Sequence, residues 1–110
     1  MKFKNIFEEE IKDRYILPKD EIYKEIHEIL YENSKNILKL NNEIHSLKDR
    51  INIIEQIIGE KIDESVEIML PFYTDFGKHI KFGKNIFINI GDMFTDLGGM
   101  TIEDKVLICL

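Results

Sequence analysis

Apolar side chains change their spacing along this chain. In the first half they recur at every third or fourth position, the period of a helix with one buried face. Phe3, Phe7, Ile11 and Tyr15 make one such set. Pro18 then interrupts, because a proline inside a helix removes a hydrogen bond and clashes with the preceding turn. Ile22, Tyr23, Ile26, Ile29, Leu30 and Ile37 predict a second helix over 20–40. Asp20 is placed to cap it and Asn41-Asn42 to break it. Leu47, Ile51, Ile54, Ile57 and Ile58 predict a third over 46–58. Ser46 and Asp49 have the spacing of a capping box, and Gly59 is a natural C-terminal stop. The charged faces read as solvated, and the apolar pattern lasts too few heptads for a coiled coil.

After residue 66 the period shifts to six. Residues 76–81 read Phe-Gly-Lys-His-Ile-Lys and residues 82–87 read Phe-Gly-Lys-Asn-Ile-Phe, identical at four of six positions. A degraded hexad follows at 88–93, and Ile102 and Ile108 restore the spacing. Six residues are too few for a helical hairpin, but they suit one strand plus a corner of a parallel β-helix. At roughly 3.3 Å per residue a hexad makes a side of about 20 Å, and three sides close a coil. Ile80, Ile86, Ile102 and Ile108 should then point inward. Gly77 and Gly83 fall where a corner needs positive φ or close backbone approach. The competing reading is a pair of antiparallel hairpins.

Composition narrows the function classes. The 110 residues carry 21 acidic and 15 basic side chains, net −6, which argues against nucleic-acid binding. Most of the excess acid lies before residue 68, and five of the six glycines lie after residue 70. No apolar run is long enough to cross a membrane. Glu8, Glu9 and Glu10 interrupt any early signal-peptide core, so a soluble, cytoplasmic chain is expected. The one cysteine, Cys109, leaves no internal disulfide and no cysteine-based zinc cage, and no metal site is expected. There are 21 isoleucines and no alanine, mainly a coding bias, though β-branched residues also favour strands.

Asp63-Glu64-Ser65 and the string Leu70-Pro71-Phe72-Tyr73-Thr74-Asp75-Phe76-Gly77-Lys78 carry a more specific signal. With Ile86 to Gly91 and Asp96 to Asp104, they resemble the sugar O-acetyltransferases of the hexapeptide-repeat superfamily, the maltose and galactoside acetyltransferases among them. The resemblance is close over about residues 60–108 and looser upstream. It implies an α+β chain: an N-terminal helical cap region (1–60), then the first coils of a left-handed parallel β-helix (61–110). It implies a homotrimer with active sites between subunits, acetyl-CoA as co-substrate and a sugar or related hydroxyl as acceptor. It implies no metal and no covalent enzyme intermediate. A histidine acts as general base on the acceptor hydroxyl, a role suited to a group that titrates near neutrality.

Carried over by position, Asp75 and Asn89 match residues on the acceptor side, and Asp96 lies in a stretch resembling the acceptor-side loop. A turn-capping role is the plainer reading of Asp75 and Asp96, and a corner side-chain ladder that of Asn89. Tyr73 and Phe87 are candidates for an apolar wall. The departures are equally specific. The family's catalytic histidine lies downstream of the strand holding Val106 to Ile108, beyond Leu110, so no catalytic residue is assigned. His27 and His45 read as surface residues and His79 as a polar corner. Ile108-Cys109-Leu110 departs from the family's Ile-Gly-Pro. The expectation is a C-terminally truncated chain, inactive alone, with an open apolar layer around Val106, Ile108 and Leu110 that drives self-association. The alternatives are a non-catalytic interaction or oligomerisation module, and an acyltransferase using another acyl group or an amine acceptor.

Overall fold

A computed structural model of the chain describes residues 16–108. The helix expected on Phe3 to Tyr15 and the ending Cys109-Leu110 lie outside the described residues. Among the described residues two helices precede seven short strands: α1 (Glu21–Asn42), α2 (Leu47–Ile58), β1 (Glu67–Ile68), β2 (Tyr73–Thr74), β3 (Ile80–Phe82), β4 (Phe87–Ile88), β5 (Met93–Phe94), β6 (Met100–Ile102) and β7 (Leu107–Ile108).

Both helices follow their apolar spacing. The α1 face buries Ile22, Ile26, Ile29, Asn33 and Leu40, and α2 buries Ile53, Ile54, Ile57 and Ile58. Leu47 belongs to the expected stripe but is exposed. Ser46 caps α2 by accepting the Asp49 N–H, and Gly59 closes it at φ 82° with its N–H on Glu55 O. Asp20 occupies the N-cap position of α1 but does not cap it. Its carboxylate accepts the Leu17 N–H instead.

The described strands pair only in parallel, which removes the hairpin reading. They form three small sheets, β1-β4-β7, β2-β5 and β3-β6. Glu67 pairs with Phe87 and Phe87 with Leu107, so the chain returns to the same sheet every 20 residues. Tyr73 with Met93 and Ile80 with Met100 keep that step. A strict hexad coil would take 18. The inward pairs show where the extra two residues lie: Val66/Ile68, Phe72/Thr74, Ile80/Phe82, then Ile86/Ile88, Asp92/Phe94, Met100/Ile102. These pairs advance by six, eight and six. The second corner, Asp75 to His79, is therefore two residues longer than the hexad pattern allows.

Ile80, Ile86 and Ile102 are buried as expected, and Ile108 is half-buried against the same core. That core joins helix and coil. Leu40, Ile54 and Ile57 pack in one cluster with Ile68, Phe72, Ile80 and Ile88. Burying each such side chain contributes about 1.5–3 kcal/mol. Val106 is half-buried and packs on this cluster. Leu110, the third residue of the expected open layer, lies outside the described residues.

Positive φ also repeats with the coil. Asn85 (57°) and Lys105 (63°) stand 20 residues apart, at the same corner. Gly77 has φ 84°, and a Cβ there would meet Ile57 Cγ2 and Ile57 O at 2.8 Å. Gly83 has an ordinary φ but sits against the Asp104 carboxylate and the Glu103–Asp104 backbone. The first glycine needs both its conformation and its size, the second only its size.

Candidate functional site

The enlarged corner between β2 and β3 is organised by one carboxylate. Asp96 is fully buried. Its Oδ1 accepts the Thr74 hydroxyl (2.7 Å), the Gly77 N–H (2.9 Å) and the Phe76 N–H (3.1 Å). Its Oδ2 accepts the His79 N–H at 3.0 Å. A strand sequence cannot turn for five residues inside a packed coil unless the freed backbone donors find partners. One acidic side chain from the next coil accepts three of them, together with the Thr74 hydroxyl.

Asp75 sits at the outer rim of this corner, half-buried. Its Oδ1 accepts the Phe76 N–H (2.7 Å) and the Asp96 N–H (3.0 Å). Asp75 thus fixes the backbone of Asp96, while Asp96 fixes the backbone of the residues that follow Asp75. Burial raises the Asp75 pKa above 3.8, and the neighbouring Asp96 charge adds to the rise. The two N–H bonds oppose it without cancelling it.

The helices reach the same corner. Asn33 of α1 donates from Nδ2 to Thr74 O and Asp75 O, both at 2.9 Å. Asn41 exchanges two bonds with the backbone of Phe72, donating to its O at 2.9 Å and accepting from its N–H at 3.0 Å. Lys78 extends to the end of α2 and donates to Gln56 O (2.5 Å) and Ile57 O (2.6 Å). These are orphan carbonyls at a helix C-terminus, where a cation is favoured. Burial pushes the Lys78 pKa down, and the charge of Asp96 works against that shift.

Asn89 lies elsewhere. It follows β4 in the three-stranded sheet, and its backbone N–H donates to Ile108 O at 3.0 Å. The structure brings Asp75 and Asp96 together and leaves Asn89 at a different corner of the coil. His79 is not an exposed corner residue: it is 8% exposed, its Nδ1 is 2.8 Å from Leu97 O, and its ring lies against Phe76. Its place is inside the corner because the enlarged turn folds it inward. His27 is exposed beside Tyr23, and His45 Nε2 lies 2.8 Å from Lys39 O. Phe87 is half-buried and Tyr73 is exposed. A groove of about 470 Å³ runs along α1 past Glu28, Tyr31, Asn33 and Lys78, and none of Asp75, Asn89 and Asp96 lines it. Among the described residues no cluster of His, Cys, Asp or Glu has the grouping of a metal site. No described helix is long and apolar enough to cross a membrane.

Asn33 and Asn41 were not legible as site-builders from motifs. A signal was present: Asn33 falls in the apolar series Ile22, Ile26, Ile29, Ile37, Leu40, where a polar residue must find a buried partner.

Comparison with known proteins supports one fold. No family model matches the chain. "Putative acetyltransferase SACOL2570" of Staphylococcus aureus (strain COL) is 41% identical over 52 residues, 47% of this chain and 26% of that protein. "Putative acetyltransferase SAR2635" of strain MRSA252 is 36% identical over 52 residues, with the same coverage. The matched segment is thus about a quarter of the length of these relatives. A hexapeptide-repeat-containing acetyltransferase from Vibrio cholerae O1 biovar eltor, VCA0836, was solved in complex with acetyl coenzyme A. It superposes with TM-score 0.69 at 20% identity, covering 98% of this chain and 54% of that chain. The chain has the fold of a hexapeptide-repeat acetyltransferase. Its nearest-matching stretch of sequence is similar to acetyltransferases.

Proposed function

We propose that this chain carries the acceptor side of an acetyl-CoA-dependent O-acetyltransferase. Its coil is the start of a left-handed parallel β-helix, with the helical region to residue 60 as its cap. The acceptor is a sugar or similar polyol hydroxyl. Asp75 and Asn89 contact it, Asp75 accepting from its hydroxyls and Asn89 both donating and accepting. They meet across a subunit boundary of a homotrimer. None of His27, His45 and His79 is assigned the role of general base. One observation carries the reading: the coil spends two extra residues on a single corner, and that corner presents a half-buried carboxylate at its rim.

Support for self-association comes from the outer faces. Outward-pointing Tyr73 and Met93 of the β2-β5 sheet, Ile90 at the adjoining corner and Leu107 of β7 are all exposed. The third sheet turns Lys81 and Thr101 outward. The same surface also favours the second reading, a non-catalytic oligomerisation module.

Nuclear magnetic resonance titration with a panel of sugars separates the two. At ~10 mM, above the usual KM range, an acceptor sugar should shift amides at Thr74 to His79 and at Asn89. No shift with any sugar would leave the oligomerisation reading. Sedimentation should show a multimer, and a clean monomer would contradict both.

A further inference from the structure

The resemblance places Asp96 among groups that touch the acceptor. Its surroundings assign it another task. It is 0% exposed, and its two oxygens are occupied by four donors from the Thr74 to His79 corner. Its backbone N–H, in turn, holds Asp75 Oδ1. Position 76, one coil below, is the equally buried Phe76. Phe76 packs against Ile22, Ile26 and Ile29 of α1, whereas the equivalent place in the next coil buries a carboxylate, which is costly unless its oxygens find donors. Three of the donors it collects are backbone N–H groups of the corner that carries Asp75, and the fourth is the Thr74 hydroxyl at its start.

We propose that Asp96 is a positioning residue: it locks the enlarged corner so that the Asp75 carboxyl stands at the acceptor site, and it contacts no acceptor itself. Thr74 and the His79 N–H are its partners in this, and the His79 ring ties the corner to the loop that follows Asp96 through Leu97 O. Asp75 reaches the acceptor only with its second oxygen, because Oδ1 is spent on Phe76 and Asp96. The charged group that acts on Asp75 is Asp96. The inference rests on the acceptor reading for Asp75, but the corner itself is testable without it.

The test uses the whole chain, Asp96→Asn and Asp75→Asn. Three quantities are read: sugar affinity, the carboxyl-carbon titration of Asp75, and amide exchange at Phe76, Gly77 and His79. An Asn at 96 must aim an N–H₂ at a backbone donor, so the corner loosens. Asp96→Asn should lose at least about tenfold in sugar affinity with Asp75 intact, since small displacements at a binding group are costly. Asp75 should titrate at lower pH once the neighbouring charge is gone. The three corner amides should exchange faster while Phe87 and Asn89 stay protected. Wild-type affinity in Asp96→Asn alongside a loss in Asp75→Asn would overturn the proposal, as would an unmoved Asp75 titration. If Asp96→Asn does not fold, Thr74→Val removes one donor at constant charge. It should weaken affinity and corner protection in the same direction, and unchanged values in both would overturn the proposal. If wild type binds no sugar, the acceptor reading fails. The titration and exchange arms then decide whether Asp96 holds Asp75.

Discussion

Two single residues set the geometry of the corner, and each makes a separable prediction. Gly77 combines φ 84° with a hypothetical Cβ 2.8 Å from Ile57. A left-handed φ costs an L-residue about 1–2 kcal/mol, and the contact with backbone adds to it. Gly77→Ala should destabilise the chain by about 3 kcal/mol or more in urea unfolding. Gly98→Ala, with nothing within 4 Å, should stay within about 0.5 kcal/mol. Asp75 makes the second prediction. Its pKa is raised above 3.8 by burial and by Asp96, so the folded chain holds that proton more tightly than the unfolded one. Stability therefore rises as pH falls through the folded pKa and levels off below 3.8. Asp75→Asn keeps an Oδ1 acceptor but has no charge to desolvate. Its stability relative to wild type should be greatest near pH 7 and shrink toward pH 4. A relative stability that grows on acidification would contradict the sign.

At the level of elements, α1 is fixed to the coil by amide side chains as well as by its apolar face. Asn41→Ala would leave both the N–H and the C=O of Phe72 unpaired at a part-buried site. An unsatisfied backbone group costs about 1–3 kcal/mol, so a loss of about 2–3 kcal/mol is expected from denaturant midpoints. Asn42→Ala, exposed and one residue on, should change little. This contrast marks how far the sequence could be read. The helices, the Ser46 and Gly59 caps and the inward isoleucines follow from local periodicity and local chemistry. The parallel pairing follows from the hexads. The 20-residue step did not, because the two near-identical hexads at 76 and 82 occupy different places. Phe76 lies within a corner and packs on Ile22, Ile26 and Ile29 of α1, whereas Phe82 ends β3. The added residues recur in both coils, and the long-range bonds of Asp96 that satisfy the first enlarged corner are carried by no local pattern. Asp75 was legible as a candidate by resemblance, Asn33 and His79 only by packing.

For the whole molecule, helix and coil meet in two apolar clusters. Leu40, Ile54 and Ile57 lie with Phe72, Ile80 and Ile88 in one, and Phe76 of the enlarged corner lies with Ile22, Ile26 and Ile29 of α1 in the other, so the corner cannot loosen without disturbing that second cluster. Native-state hydrogen exchange, read residue by residue, tests this most directly, because protection reports both the bond and the cooperative unit it belongs to. The amides of Phe76, Gly77 and His79 lie in a corner and bond to a side chain, a setting that ordinarily exchanges fast. Here they should be as protected as Glu67 and Phe87, whose N–H groups bond to Ile86 O and Val106 O within the three-stranded sheet. Exchange at those three corner amides near the rate of an exposed loop, with Glu67 and Phe87 protected, would contradict a corner built on Asp96.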